Sequence, residues 1–264
     1  MKSRSLLCLV ILTLSGCRPF ASAGAHRTLA SLPAGCTSPG TVQMLSFPVR
    51  GGYDYQYGLY LPPCYEAQAD IVYPVIYFVP GRTSGPGTWF SAGLAPIADE
   101  LIQTGELPPF IIVTTQNIDS NDELDAHTIV NELIPFVESR YPISPERRYH
   151  SVAGGSLGGI AAYRIGLGNP GHFASIGMFG SGAIHGEEPR IRSWLQATNS
   201  RNRPRVFFNT GFQDPLMLDQ ARVMMGLLDE FGVTHTHIFT AGAHNYAYWA
   251  TNLPAFLHWV ALDW

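Results

Sequence analysis

Short apolar runs that are typical of β-strands alternate with helix patterns along most of this 264-residue chain. Val75–Val79 and Phe110–Thr115 are almost continuously apolar or β-branched, as strands buried on both faces are. Alternation of this kind predicts an α/β fold, with a mostly parallel central sheet and helices on both faces. The other predicted strands are Val42–Val49, Tyr53–Leu61, Tyr149–Ala153, Ala174–Phe179, Arg205–Thr210 and His235–Thr240. The predicted helices are Ala95–Thr104, Ala126–Ser139, Leu157–Leu167, Leu216–Phe231 and Tyr248–Leu262.

The first two predicted strands should form an N-terminal antiparallel hairpin. They are joined by Gly51-Gly52, and a two-glycine turn is too short for the crossover that parallel strands need. In parallel sheets the chemistry lies at the carboxyl ends of the strands. The informative residues are therefore those that directly follow each strand.

The composition excludes several classes of protein. Lys+Arg number 16 against 20 Asp+Glu, a formal net charge of -4, which argues against a nucleic-acid partner because such proteins present a basic face. Hydrophobic residues make up 46%, enough for a sizeable core, and this excludes an intrinsically disordered chain. Only 14% of residues are charged, and together with 27 Gly and 20 Pro this favours a compact, loop-rich, exported protein.

The N-terminus has the pattern of an export signal. Lys2 and Arg4 precede the apolar run 6–14, which is too short to span a bilayer. The following Leu14-Ser15-Gly16-Cys17 resembles a bacterial lipobox, so we expect a lipoprotein signal over 1–16 and lipidation of Cys17. The alternative is ordinary secretion after cleavage at Ala21-Ser22-Ala23. Either way the chain is exported, to the bacterial cell envelope or the medium, and any membrane attachment is by the lipid anchor only.

Residues 17–40 are rich in Ser, Ala, Pro and Gly and are predicted to be a flexible tether, followed by one catalytic domain over 41–264. Without Cys8 in the signal and Cys17 at the lipid site, Cys36 and Cys64 remain. Two cysteines in an oxidising compartment are usually paired. Because they flank the predicted hairpin, its pairing would bring them within the ~4.4–6.8 Å Cα separation of a disulfide.

A strand, a glycine-rich turn and a helix surround Ser156. The sequence Gly154-Gly155-Ser156-Leu157-Gly158-Gly159 contains G-x-S-x-G, the pattern of a nucleophilic serine on a sharp strand-to-helix turn. Small neighbours let strand and helix pack closely, and the Leu157 N–H at the helix start can donate to an oxyanion. The alternative is a serine that merely begins a helix.

A nucleophilic serine needs a base, and the base needs an acid that orients it. Of the nine histidines, only His244 follows the carboxyl end of a strand on a loop. His150 lies at the opposite end of its strand, and His235 and His237 alternate within one. Asp214 follows the strand Arg205–Thr210 and completes the chain order Ser, Asp, His.

Two alternatives for the acid remain open. Asp214 precedes Pro215 and could instead cap a helix. Asp219 is a rival acid, although it should lie one turn into that helix.

These residues resemble the esterase D / feruloyl-esterase-like branch of the α/β-hydrolases, which includes enterochelin-esterase-type and S-formylglutathione-hydrolase-type enzymes. The likeness runs from about residue 42 to the C-terminus. Besides the turn around Ser156 and the positions Gly211, Asp214 and His244, it rests on these segments: Tyr60–Pro63, Tyr73–Tyr77, Ile97–Leu101, Pro108–Val113 and Glu132–Glu138.

The resemblance implies an acyl hydrolase with Ser156, His244 and Asp214 as its triad, acting without a cofactor or a metal. It also places a second oxyanion donor at the Arg82 backbone N–H. The family usually has His-Gly where this chain has Pro80-Gly81, and many relatives have a longer, substrate-contacting loop at 116–126. No insertion is long enough for a separate lid.

Three functions remain open from the sequence. The first is an exported serine esterase that hydrolyses a small ester or an ester-decorated polymer through an acyl-enzyme intermediate. The second is an acyltransferase with the same triad, in which an alcohol takes the acyl group. The third is a catalytically silent surface lipoprotein that uses the fold for binding. The intact Ser, Asp and His disfavour a silent protein, whereas Pro80 mildly favours one.

Overall fold

The computed structural model describes residues 27–66, 70–116 and 123–264, with side chains described from residue 126 onward in the last range. The predicted signal 1–16, Cys17 and the alternative cleavage site lie outside these residues, as does most of the 116–126 loop. Across the described ranges, no helix has the length and apolarity that crossing a membrane would require.

Eight of the described strands form one mixed sheet in the order β10-β9-β8-β7-β5-β6-β3-β2. The strands are β1 (Thr28–Leu29), β2 (Thr41–Pro48), β3 (Asp54–Leu61), β4 (Ile71–Val72), β5 (Val75–Val79), β6 (Ile111–Thr115), β7 (His150–Gly155), β8 (Ser175–Phe179), β9 (Arg205–Gly211) and β10 (His235–Thr240). The strands from β5 to β10 are parallel, and β2 and β3 form the predicted antiparallel hairpin. The predicted α/β sheet with its hairpin is confirmed.

Most of the helices lie between strands in chain order, and the last two follow β10. They are α1 (Thr88–Ser91), α2 (Leu94–Gln103), α3 (Glu123–Thr128), α4 (Ile134–Glu138), α5 (Leu157–Gly168), α6 (Glu188–Ala197), α7 (Pro215–Glu230), α8 (Tyr246–Thr251) and α9 (Leu253–Val260). A π-helical turn, Ile129–Leu133, joins α3 to α4. The buried apolar side chains form two clusters, and every residue of the central strands β5, β6, β7 and β8 is buried.

The segment before the sheet is packed against the domain, in contrast to the predicted tether. Strand β1 pairs in parallel with β4, and Ala30 is buried in the core. Residue Cys36 is bonded to Cys64 with a Cα separation of 6.0 Å, because the hairpin register places Thr41 opposite Leu61. The tether prediction therefore needs correction for residues 27–40, since composition does not show a two-residue strand pair. The predicted disulfide is present.

Candidate active site

Ser156 stands on a strained turn between β7 and α5. Its φ of 57° and ψ of -121° lie in a region that residues with a side chain seldom adopt. Its N–H donates to the Phe179 carbonyl on the neighbouring strand at 2.8 Å, which fixes the turn. Leu157 begins the 12-residue helix α5, so its N–H belongs to the positive end of the helix dipole.

The glycines around Ser156 are required by close backbone contacts. A Cβ added to Gly154 would lie 2.2 Å from the Gly158 carbonyl oxygen, and one added to Gly158 would lie 2.2 Å from the Val79 carbonyl oxygen. Real Cβ atoms do not approach that closely. The glycines therefore let α5 begin directly against the ends of β7 and β5, as the G-x-S-x-G pattern predicted.

His244 and Asp214 contact each other directly. The Nδ1 atom of His244 lies 2.5 Å from Oδ2 of Asp214, across loops that follow β10 and β9. Asp214 is the residue before α7, yet its side chain makes no capping hydrogen bond to that helix. The carboxylate is thus directed at the histidine, and the capping alternative does not describe its contact.

Backbone packing holds these two loops together. The Gln213 N–H donates to the Gly242 carbonyl at 2.9 Å, and the Phe212 N–H donates to the Thr240 carbonyl at 2.8 Å. A Cβ added to Gly211 would lie 1.9 Å from the Gly242 carbonyl oxygen. The position of Gly211 in the predicted motif therefore follows from the approach of the two loops.

The rival residues lie elsewhere. Asp219 is exposed in α7 and pairs with Arg222 at 3.1 Å. His235 pairs with Asp229 at 2.9 Å, and His258 lies 3.1 Å from Glu106. Among the described residues, Asp214 alone presents a carboxylate to His244.

The Trp249 ring packs between the turn that carries Ser156 and the loop that carries His244. This ring packs edge-on against His244 with 5.2 Å between centroids. A Cβ added to Gly155, the residue before Ser156, would lie 2.7 Å from the same ring. No hydrogen bond joins Ser156 to His244 in the described chain, and in unliganded enzymes such contacts are often long.

Gly81 places the predicted oxyanion loop beside Ser156. A Cβ added to Gly81 would lie 3.5 Å from the Ser156 Cβ, so the backbone leading to Arg82 passes next to the serine. The Gly81 N–H donates to the Tyr246 hydroxyl at 2.7 Å. Within the described ranges, the Arg82 N–H has no hydrogen-bond acceptor. Position 82 can therefore donate toward a ligand at Ser156, although Pro80 replaces the family's histidine.

Tyr246, Trp249 and Trp89 were missed by the sequence reasoning. Tyr246 packs edge-on against both tryptophan rings, at 4.9 Å from each centroid. Trp89 also donates its Nε1–H to the Val79 carbonyl at 3.2 Å, at the end of β5. The only sequence signal for Tyr246 was its position two residues after His244. That position does not reveal that its hydroxyl accepts the Gly81 N–H.

The fold and this site define an α/β-hydrolase. The chain matches the family model described as "Putative esterase" over residues 50–260, and it belongs to that esterase family. The curated relatives are distant. An uncharacterised protein of Corynebacterium glutamicum is 22% identical over 237 residues, and an endo-1,4-β-xylanase/feruloyl esterase of Xylanibacter ruminicola is 27% identical over 127 residues. These matches cover 76% and 44% of this chain, but only 56% and 18% of those proteins.

Solved structures of esterases share the fold. A ferulic acid esterase superposes with a TM-score of 0.75 at 19% identity, covering 85% of this chain and 98% of its own. The feruloyl esterase module of Clostridium thermocellum, complexed with sinapinate, gives 0.71 at 20% identity, covering 88% and 94%. A fluorophosphonate-binding serine hydrolase of Staphylococcus aureus gives 0.70 at 17%, covering 85% and 99%. The suspected family is thus confirmed.

Proposed function

We propose that the protein is an exported serine esterase that hydrolyses carboxylic esters through Ser156, His244 and Asp214. The contact between His244 Nδ1 and Asp214 Oδ2 at 2.5 Å carries this proposal. Through this contact the Asp214 carboxylate orients the His244 imidazole at the carboxyl edge of the sheet. The strained Ser156 lies at the same edge. A protein that only binds its ligand does not need that arrangement.

The mechanism follows from these positions. Asp214 holds the Nδ1–H of His244, which leaves Nε2 free to accept the Ser156 hydroxyl proton. The serine oxygen then attacks the ester carbonyl, and the Leu157 and Arg82 N–H groups stabilise the oxyanion. His244 returns the proton to the leaving alcohol. Water, activated by the same nitrogen, then releases the acid from the acyl-enzyme.

The proposed substrate is an ester of a small or aromatic acid, either free or attached to a polymer. Exposed apolar side chains flank Asp214, with Phe212 58% and Leu216 64% exposed. Such a rim can contact an apolar acyl group. Structural relatives hold sinapinate and ferulic acid, so feruloyl esters belong in a substrate panel with acetyl-sugar and nitrophenyl esters of graded chain length.

A fluorophosphonate probe tests the nucleophile directly. We expect labelling of Ser156 by mass spectrometry, with parallel loss of ester turnover. Ser156→Ala and His244→Ala should each lower turnover on the order of 10⁴-fold or more. Labelling at another serine, or an undiminished Ser156→Ala variant, would refute the proposal. A transferase would instead form a new ester when an alcohol is added.

Export is proposed on the N-terminal pattern around Cys17. The Cys36–Cys64 disulfide supports it, because disulfides persist in oxidising compartments. We expect the protein in the membrane fraction, with a lipid-modified N-terminus at Cys17 by mass spectrometry, and release of the Cys17→Ser variant. A mature N-terminus at Gly24 in the medium would establish secretion without an anchor.

A further inference from the structure

Three side chains of the types that can ligate a metal ion converge at the amino end of β7, the end opposite to Ser156. His150 begins that strand, Glu138 ends α4, and His172 lies in the loop between α5 and β8. The nitrogen and oxygen ligand atoms of these three residues lie within 4.8 Å of one another. The esterase chemistry proposed above uses none of them.

The separations match one face of a tetrahedral site. His150 Nδ1 lies 3.1 Å from His172 Nε2 and 3.4 Å from Glu138 Oε1, and His172 Nε2 lies 3.2 Å from the same oxygen. Ligands about 2.0–2.1 Å from a tetrahedral Zn²⁺ ion are about 3.3–3.4 Å apart. The triangle therefore needs little movement to accept such an ion.

A backbone contact directs the His150 lone pair into this triangle. Its Nε2 lies 2.5 Å from the Ser144 carbonyl, which can only accept, so Nε2 carries the hydrogen. In the neutral ring, Nδ1 is then the unprotonated nitrogen, and it faces Glu138 and His172. Metal-binding histidines are commonly held in this way, by a hydrogen bond from the other ring nitrogen.

The cluster is both supported and reachable. The buried Tyr77 hydroxyl donates to Glu138 Oε1 at 3.5 Å, as an outer partner of the carboxylate. His150 is 3% exposed, whereas His172 and Glu138 keep 33% and 31% of their side chains exposed. An ion can therefore enter from solvent, and a water can take the fourth position.

We propose that Glu138, His150 and His172 form a binding site for a divalent transition-metal ion of the Zn²⁺ class. The family resemblance implied no metal, and the sequence reasoning did not single out these three residues. The site would join the end of α4, the start of β7 and the loop before β8. It lies a full strand length, about 20 Å, from Ser156, so its role is structural rather than catalytic.

Binding can be measured on the purified, tag-free protein with Co²⁺ and Zn²⁺. We expect one equivalent of Co²⁺ to give the visible absorption of a tetrahedral site, displaced by Zn²⁺. Excess Zn²⁺ should raise Tm by about 5–10 °C at 100 times Kd. Ca²⁺ should do neither, because it prefers oxygen ligands. Absence of both signals in the wild-type protein would overturn the proposal.

Variants at the two partly exposed ligands test whether metal binding depends on this cluster or on histidines elsewhere in the chain. His172→Gln and Glu138→Gln should weaken binding at least about tenfold, since even an outer partner is worth roughly 10–100-fold. His258→Gln is the matched control, because His258 pairs with Glu106 without a second histidine. Unchanged affinity in the first two variants, or loss in the control, would contradict the assignment. Retained esterase turnover would show that the variants are folded.

Discussion

At the scale of single residues, Asp214 occupies a position where two uses of a carboxylate compete. It precedes Pro215 at the start of α7, where a side-chain oxygen often caps the helix. Its carboxylate instead contacts His244 at 2.5 Å. The start of α7 consequently forgoes a side-chain cap, which costs the helix about 1 kcal/mol. That cost is consistent with a residue kept for the chemistry of the site.

Asp214→Asn should therefore lower kcat on the order of 10⁴-fold, because an amide holds the wrong imidazole tautomer. Asp219→Asn is the control, because Asp219 lies five positions further along the chain, inside α7, and its turnover should be unchanged. Steady-state kinetics on a nitrophenyl ester would measure both. Damage by Asp219→Asn with an active Asp214→Asn variant would show that the acid is wrongly assigned.

Tyr246 should act as a positioning residue for the oxyanion loop. Tyr246→Phe leaves the Gly81 N–H without its acceptor, so the Arg82 N–H next to it loses a fixed position. We expect kcat to fall about tenfold with KM nearly unchanged, less than the roughly 10²–10³-fold cost of losing a donor outright.

The exposed Tyr53 provides the control for that variant. Tyr53→Phe should leave both kinetic constants unchanged. A Tyr246→Phe variant with a raised KM and an unaltered kcat would assign Tyr246 to substrate binding instead.

At the scale of elements, a Gly→Ala substitution should have opposite effects on stability at Gly158 and at Gly226. A Cβ at Gly158 would meet the Val79 carbonyl oxygen at 2.2 Å, whereas one at Gly226 in α7 has no atom within 4 Å. Gly158→Ala should destabilise the fold by about 1–3 kcal/mol or more and impair turnover. Gly226→Ala should stabilise it by about 0.5–1 kcal/mol.

Denaturant unfolding followed by circular dichroism would measure both changes. The packing argument fails if the two variants are equally stable. Turnover of Gly226→Ala should match the wild-type value, because Gly226 is exposed on α7 and an added Cβ there would contact no other atom.

Strands β5 and β6 were predictable because their runs of apolar and β-branched residues are continuous. Two helix predictions were only partly right, and proline explains both. Ala126–Ser139 is interrupted by a π-turn before Pro135, and Tyr248–Leu262 is broken at Asn252 before Pro254. Proline lacks an N–H and clashes with the preceding turn, which disrupts the regular hydrogen bonds.

Elements without a periodic apolar pattern were missed. Helix α6 buries only Ile191 and Leu195 among polar residues, and β1 and β4 have two residues each. The partners of His150 come from a helix end and a distant loop, so their proximity exists only in the folded chain. In contrast, Ser156, Asp214 and His244 each follow a strand, and the order of strands in the sheet brings them to one edge.

At the scale of the whole molecule, the disulfide secures the N-terminal hairpin. The bond closes a separation of 28 residues, for which the chain-entropy model gives about 3–4 kcal/mol. The double variant Cys36→Ser/Cys64→Ser should lose about that much stability in denaturant unfolding. Turnover at moderate temperature should stay near the wild-type value, because the bond lies away from His244. A large loss of turnover in the folded variant would contradict this separation.

The strand pair β1–β4 also determines where the N-terminal segment joins the domain. Strand β4 ends three residues before β5 begins. Because β1 pairs with β4, the N-terminal segment meets the domain at the amino end of the parallel strands. Ser156, Asp214 and His244 follow the opposite ends of their strands. If the chain is held to a surface through the residues before 27, its catalytic edge points outward. Such an enzyme would reach insoluble or bulky material beyond the surface and would be poorly placed to attack esters within it.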